Sequence, residues 1–134
     1  MSGSVVYVVD DEHPIAWSLA AVLRGSGFSA EAFTSPLEAI KAAHTLTPTL
    51  LISDVMMPEC LGFHLAIQIR QICPACKILL ISGHPAAGQL MNQECGMDHG
   101  FQILPKPLHP LELLAEIRRL DVQVVSMEAD IHPN

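Results

Sequence analysis

Apolar and polar residues alternate along this chain in blocks that predict five strand–helix pairs. Short apolar runs, typical of strands buried on both faces, occur at residues 5–10, 28–33, 49–54, 77–81 and 100–104. Stretches with helical periodicity follow them at 14–24, 35–44, 62–72, 85–94 and from Pro110 onward. Strands joined through helices of this length pair in parallel. The pattern therefore predicts a doubly wound α/β fold, with helices on both faces of a five-stranded parallel sheet.

Local signals support the predicted helix boundaries. Ser35, Pro36 and Glu38 have the spacing of a capping box, with proline at the first helical position. Cys73-Pro74 should end the third helix, while Gly88 makes the fourth helix the least well defined. In the last helix the spacing predicts four apolar residues facing the core: Leu111, Leu114, Ile117 and Leu120.

Length and composition fit one domain with a substantial core. The chain has 134 residues, of which 50% are hydrophobic and 16% charged. Residues 1–120 should form the domain, and 121–134 a tail or a linker to an absent output domain. A formal charge of −7 with seven Lys and Arg argues against a nucleic-acid surface. Without a signal peptide or an apolar stretch of about 18 residues, we expect a cytoplasmic protein with reduced thiols and no membrane contact.

Chemically active side chains follow four of the predicted strands. Asp10 and Asp11 follow the first strand, Asp54 the third, Ser82 the fourth and Lys106 the fifth. Because parallel strands share one carboxyl edge, where ligands bind in such sheets, we expect these groups to converge there.

Three converging carboxylates predict a site for a divalent cation. At an effective dielectric near 20, each like-charge pair about 5 Å apart costs on the order of 3 kcal/mol, which a dication would relieve. Mg²⁺ prefers such oxygen ligands and often bridges carboxylates to phosphate. Asp54 is a competent nucleophile toward phosphorus, while Lys106 and Ser82 could contact the phosphoryl oxygens.

Each of these residues also has an ordinary structural interpretation. Asp10 and Asp11 could serve only to complement a helix dipole, and Asp54 could be a loop residue. Ser82-Gly83 could be a turn, and Lys106 a solvated loop lysine. The joint arrangement at four strand ends favours the functional interpretation.

The constellation resembles the receiver domain of two-component response regulators. The matching motifs span about residues 4–120: Asp10-Asp11, Asp54 with Met57-Pro58 and Gly62, Ser82-Gly83, and Lys106-Pro107. The resemblance implies a flavodoxin-like strand order of 2-1-3-4-5. It also implies that Asp54 accepts a phosphoryl group from a sensor histidine kinase or a histidine phosphotransfer protein.

The resemblance further assigns roles around the predicted site. Asp10, Asp11, Asp54 and the backbone carbonyl of Met56 would hold Mg²⁺, and Ser82 and Lys106 would contact the phosphoryl group. Phosphorylation would then shift the last two strand–helix units, which bind a downstream protein or a second copy of the chain. Such a domain is not a conventional enzyme, since it catalyses its own phosphorylation and slow autodephosphorylation.

One position departs from the family pattern. Receivers usually carry Tyr or Phe three residues before the lysine, and here that residue is Ile103. An aliphatic side chain cannot swing a ring or hydroxyl between solvent and core. The aromatic part of the signal relay is therefore in doubt, whereas the phosphorylation chemistry is not.

Other residues allow other interpretations. Cys73 and Cys76 form a C-x-x-C pair, but it should close a helix and precede a strand, unlike a thioredoxin-type motif. Zinc would need two further ligands, and no second motif supplies them. His84, His99 and His109 are either solvated loop residues or groups that make the site sensitive to pH.

Two other function classes stay open. A non-phosphorylated pseudo-receiver would lack an acidic residue or the lysine, and neither is missing here. A small phosphohydrolase acting through an aspartyl intermediate would carry a general acid two residues after the nucleophile, where this chain has Met56.

Overall fold

Strands and helices alternate strictly along the chain. The computed structural model describes residues 4–95 and 101–120. In these residues the elements are β1 (Val5–Val9), α1 (His13–Gly25), β2 (Ser29–Phe33), α2 (Pro36–Ala43), β3 (Leu50–Asp54), α3 (Gly62–Ile72), β4 (Lys77–Ser82), α4 (Ala87–Cys95), β5 (Gln102–Pro105) and α5 (Pro110–Arg119). Each predicted strand and helix is present, with boundaries that differ by a few residues at most.

The strands form one parallel sheet in the order β2-β1-β3-β4-β5. This confirms the predicted doubly wound fold and the strand order. The chain moves outward from β1 to β2 and then returns across β1 to β3, so the order reverses between β1 and β3. Asp54 pairs with Ile81, and Ser82 pairs with Pro105, so the carboxyl ends of these strands lie level.

Side chains alternate between two cores on opposite faces of the sheet. Tyr7, Leu51 and Leu80 point toward the face covered by α2, α3 and α4. Val8, Ile52 and Leu79 point toward the face covered by α1 and α5. Because the central strands are buried on both sides, their continuous apolar sequences were sufficient to predict them.

The last helix is rotated relative to the sequence prediction. Leu113 and Ile117 are fully buried, and Leu114 and Leu120 pack at the margin of the core, but Leu111 is 70% exposed. A helix turns about 100° per residue, so Leu111 lies on the side opposite Leu113. The prediction that Leu111 faces the core was wrong, because three leucines among residues 111–114 allowed two alternative faces.

Helix caps involve an unexpected residue. The Ser35 side chain accepts a hydrogen bond from the Glu38 amide at the start of α2, at 3.5 Å. A reciprocal capping box is formed at α5, where His109 Nδ1 accepts from Leu111 N (3.0 Å) and Glu112 Oε1 accepts from His109 N (3.1 Å).

Three predictions lie outside the described residues. They are the tail at 121–134, the role of His99 and the start of the fifth strand at Gly100.

The C-x-x-C pair lies between α3 and β4, as predicted, at the end of the sheet opposite Asp54. The Cys76 amide donates to the Cys73 carbonyl at 3.0 Å, which closes a turn. The Cys73 thiol donates to the Pro48 carbonyl at 3.3 Å, and the Cys76 thiol donates to the Lys77 carbonyl at 3.4 Å. Burial raises the pKa of the Cys76 thiol to about 12.

Cys76 should therefore resist alkylation in the folded protein. Thiolate is the reactive form, and at pH 8 a thiol with this pKa supplies on the order of a thousandfold less thiolate than an ordinary one. With iodoacetamide at pH 8, peptide mass spectrometry should find the partly exposed Cys73 labelled well before Cys76. Unfolding in urea should equalise the two rates. Equal labelling in the native state would contradict the described burial.

Candidate functional site

Four strand ends supply the side chains of the site. Asp10 directly follows β1, Asp54 ends β3, Ser82 ends β4, and Lys106 directly follows β5. Because the strands are parallel and their ends are level, these residues meet at one edge of the sheet. The edge is the one at which strand order reverses between β1 and β3.

Three carboxylates form a tight cluster at this edge. Asp10, Asp11 and Asp54 each offer an oxygen, and these oxygens lie within 4.8 Å of one another. Asp10 and Asp54 are buried at 3% and 8% exposure, whereas Asp11 is more accessible. The cluster therefore has one open side, through which an ion and its waters can enter.

Lys106 joins two of these carboxylates. Its Nζ lies 3.4 Å from Asp10 Oδ2 and 3.4 Å from Asp54 Oδ1. Lys106 keeps 27% of its side chain exposed, while the two aspartates are largely withdrawn from water. A single ammonium thus compensates two buried negative charges, which leaves the cluster with a negative excess.

The pKa shifts of Asp54 and Lys106 follow from burial and from these charges. Burial raises the pKa of the Asp54 carboxyl, and the charge of Asp10 raises it further, while Lys106 acts in the opposite direction. Burial lowers the pKa of the Lys106 ammonium, but attraction to Asp10 and Asp54 outweighs burial, so the pKa is raised overall. The site therefore favours a charged Lys106 and opposes the ionisation of Asp54.

Hydrogen bonds hold the residues of the cluster and of the neighbouring strand ends in place. Asp10 Oδ1 accepts from the Glu12 amide at 3.0 Å, and Ser53 Oγ donates to the Asp54 carbonyl at 2.9 Å. Ser82 Oγ accepts from the His84 amide at 2.9 Å, and the Ser82 carbonyl accepts from the Lys106 amide at 2.9 Å. This last bond ties the end of β4 to the residue that carries the ammonium.

Gly62 brings the start of α3 against the backbone of Asp54. The Gly62 amide donates to the Val55 carbonyl at 2.8 Å. A Cβ atom at position 62 would lie 2.3 Å from the Asp54 carbonyl oxygen, closer than real contacts allow. The sequence motif contained Gly62, but only the structure shows that close approach to Asp54 is what requires glycine there.

The remaining predicted residues lie near this edge with less direct roles. Met56 is 44% exposed in the loop after β3, and the part played by its carbonyl stays a prediction. Ile103 is partly buried, packs against the core beneath α3 and α4, and pairs with Leu80 in the sheet. His84 Nδ1 accepts from the Ala86 amide at 3.1 Å, so both His84 and His109 help to cap the chain locally.

The carboxylate cluster fits a hard divalent cation. Its ligands are oxygens with a negative excess, which suits Mg²⁺ or another hard ion rather than a thiophilic metal. Asp10, Asp11 and Asp54 are the side chains that would hold the ion. Its charge would oppose the burial and the repulsion from Asp10 that together raise the Asp54 pKa.

The sequence as a whole matches a known family. The family model described as "Response regulator receiver domain" matches residues 6–118. The chain belongs to the receiver-domain family of response regulators.

Within the part of the chain that the structure describes, no helix is long and apolar enough to cross a membrane.

Curated relatives carry this receiver domain within longer proteins. The chain is 31% identical over 119 residues to the DNA-binding transcriptional regulator NtrC of Escherichia coli K12, covering 89% of this chain and 25% of that protein. It is 31% identical over 121 residues to the transcriptional regulatory protein CreB of the same organism, covering 90% and 52%. The chain thus spans between a quarter and about half of the length of these relatives.

Solved receiver structures share the fold. The chemotaxis protein CheY4 of Vibrio cholerae superposes with a TM-score of 0.76 at 25% identity, covering 88% of this chain and 98% of that one. A CheY-like receiver domain protein of Methanospirillum hungatei JF-1 gives a TM-score of 0.76 at 22% identity, covering 89% and 94%. The second likeness supports the fold alone.

Gly62→Ala should distort the backbone around Asp54, where β3 ends. The new methyl group would collide with the Asp54 carbonyl, so we expect a loss of about 2–4 kcal/mol in the free energy of unfolding by urea. Gly88→Ala is the matched control, because a Cβ there meets nothing within 4 Å and alanine suits a helix better by about 1 kcal/mol. Equal stability of the two variants would refute the close contact.

Asp54→Asn should stabilise the magnesium-free fold. Because the pKa of Asp54 is raised in the folded state, the ionised carboxylate lowers the free energy of unfolding. This loss of stability is absent below the ordinary pKa of an aspartate, where the carboxyl is protonated in both states, and it develops as pH rises through the raised pKa. We expect a gain on the order of 1 kcal/mol at neutral pH with EDTA present, which shrinks as pH falls. The control Glu31→Gln removes an equal charge from the exposed side of β2 and should change the free energy of unfolding little. A lower free energy of unfolding for Asp54→Asn would contradict the raised pKa of Asp54.

Proposed function

We propose that this receiver accepts a phosphoryl group on Asp54 in a reaction that depends on Mg²⁺. One observation carries this proposal: three carboxylates share a cluster within 4.8 Å, and an ammonium lies 3.4 Å from the Asp54 carboxylate. The cluster supplies a nucleophile, oxygens for an ion, and a cation for the oxygens of the transferred group. Phosphoryl transfer needs chiefly such positioning and charge neutralisation.

Each described side chain has a task in this reaction. Asp54 would attack phosphorus through a carboxylate oxygen, while Lys106 would exchange part of its contact with Asp54 for a phosphoryl oxygen. Ser82 Oγ accepts from an amide and still carries a proton that it can donate to another phosphoryl oxygen. Mg²⁺, when bound by the aspartates, would neutralise charge on the phosphoryl group.

The same contacts offer a route for the signal. Phosphorylation turns the Asp54 monoanion into a group with a charge near −2 and three acceptor oxygens, which attracts Lys106 and Ser82. Because the Lys106 amide donates a hydrogen bond to the Ser82 carbonyl, a movement of either residue would displace both β4 and β5. We propose that the units β4–α4 and β5–α5 shift in response, with Ile103 moving within the packed core rather than rotating to solvent.

The partners follow from the family rather than from the geometry. We propose a sensor histidine kinase or a histidine phosphotransfer protein as donor, acting through its phosphohistidine. A downstream protein, an output domain beyond the chain, or a second copy bound through the last two strand–helix units would receive the signal. The receiver would serve as its own catalyst, since the nucleophile and the stabilising charges all belong to it.

Incubation with acetyl phosphate and Mg²⁺, followed by intact mass spectrometry, tests the phosphorylation. The wild-type chain should gain one phosphoryl group, and Asp54→Asn should gain none. Chelation of the ion with EDTA should abolish the gain. Borohydride reduction should locate the acyl phosphate at position 54.

Three outcomes would reject the assignment. Equal labelling of wild type and Asp54→Asn would place the phosphoryl group elsewhere. A folded wild-type chain that stays unlabelled by any donor would identify a non-phosphorylated interaction module. Rapid turnover of excess donor would instead indicate a phosphohydrolase, which the exposed methionine at position 56 argues against because it cannot act as a general acid.

A further inference from the structure

An apolar cavity adjoins the carboxylate cluster. It has a volume of about 430 Å³ and lies between α1, β4 and the loop that joins β5 to α5. Five apolar side chains form its walls: Ile15, Leu19, Ile81, Pro107 and Leu108. Its size is in the range of small-molecule sites, and its walls come from separate elements, with one side open to solvent.

One end of the cavity belongs to the phosphoryl site. Asp10 and Lys106 line it together with the apolar residues. Lys106 Nζ is also the group that lies 3.4 Å from Asp54 Oδ1. In an in-line transfer the leaving oxygen lies on the far side of phosphorus from Asp54. Because Asp10 and Lys106 belong both to the charged cluster and to the mouth of the cavity, a chain that bends back from that oxygen can reach the cavity.

We propose that this cavity receives the acyl chain of a small acyl phosphate, so that donors with apolar chains longer than acetyl phosphorylate Asp54 more efficiently. This inference rests on the proposed phosphorylation of Asp54. The polar end of the cavity matches the anionic phosphoryl head, and its apolar walls match a hydrocarbon chain. A short straight or branched chain of three to six carbons is small enough for this volume.

The reaction balances without any further reactant. A carboxylate oxygen of Asp54 forms a bond to phosphorus, and the bond between phosphorus and the bridging oxygen of the acyl phosphate breaks. The electron pair of that bond leaves with the acyl group, which departs as a carboxylate anion. No proton is gained or lost, so the chain in the cavity contributes binding rather than acid–base chemistry.

The cavity predicts a defined dependence on chain length. Each buried methylene contributes about fourfold in binding, reduced where burial is partial. Since binding that is equal in ground and transition states raises kcat/KM, we expect kcat/KM to rise about threefold per carbon from acetyl to butyryl phosphate and then to level off as the cavity fills.

Phosphorylation rates with a donor series test this inference. Acetyl, propionyl, butyryl and hexanoyl phosphate would be compared at one Mg²⁺ concentration, with phosphoramidate as the donor that has no acyl chain. A rise with chain length supports the cavity as the acyl site. Equal kcat/KM across the acyl series, with Asp54 still labelled, overturns it while leaving the proposed function intact. No labelling by any donor would reject the proposed function itself.

A matched pair of variants ties the effect to the cavity. Leu108→Ser makes one wall polar and should reduce the rise to less than twofold per carbon. Leu111→Ser makes the same change on the exposed side of α5, outside the cavity, and should keep the threefold rise. If both variants keep the rise, or if Leu108→Ser slows only transfer from a phosphohistidine protein, the cavity does not bind small acyl chains and the inference fails.

Discussion

Repulsion between buried carboxylates is the constraint on which this site depends. Asp10 and Asp54 are withdrawn from water beside Asp11, and among the described residues the only cationic side chain in an ion pair with them is Lys106. Isolated charges in this position would protonate or recruit water. The negative charge of the cluster is therefore only partly compensated, and a bound dication would supply the missing positive charge.

The fold tolerates the carboxylate cluster because the repulsion lowers stability at only one edge of the sheet. Both faces of the sheet bury continuous apolar strands, and the charged residues are confined to the positions where those strands end. Close approach of Gly62 to the Asp54 backbone and the bond from Lys106 to Ser82 then fix the edge against relaxation. A closely packed core with one charged edge would suit a switch, because packed elements tend to move between discrete arrangements when the charge at such an edge changes.

Sequence patterns predicted the fold and most of the candidate site, because residues that follow parallel strands all lie at the same edge of the sheet. Once the strands were placed, Asp10, Asp54 and Lys106 had to share an edge. Leu111 was misplaced because helix periodicity does not choose between overlapping apolar faces, and docking on the sheet does. The bridging geometry of Lys106 and the cavity beside Leu108 depend on side-chain packing between elements far apart in sequence, which no local pattern encodes.

Calorimetric titration with Mg²⁺ tests the central role of the carboxylate cluster most directly. Wild type should bind one ion, and Asp11→Asn, which removes the most accessible carboxylate of the cluster, should weaken binding by at least about tenfold, or 1.4 kcal/mol. Glu12→Gln removes a neighbouring exposed charge outside the cluster and should bind as wild type does. Equal affinities in all three proteins would contradict the account, because the ion would then be held by net charge rather than by these carboxylates.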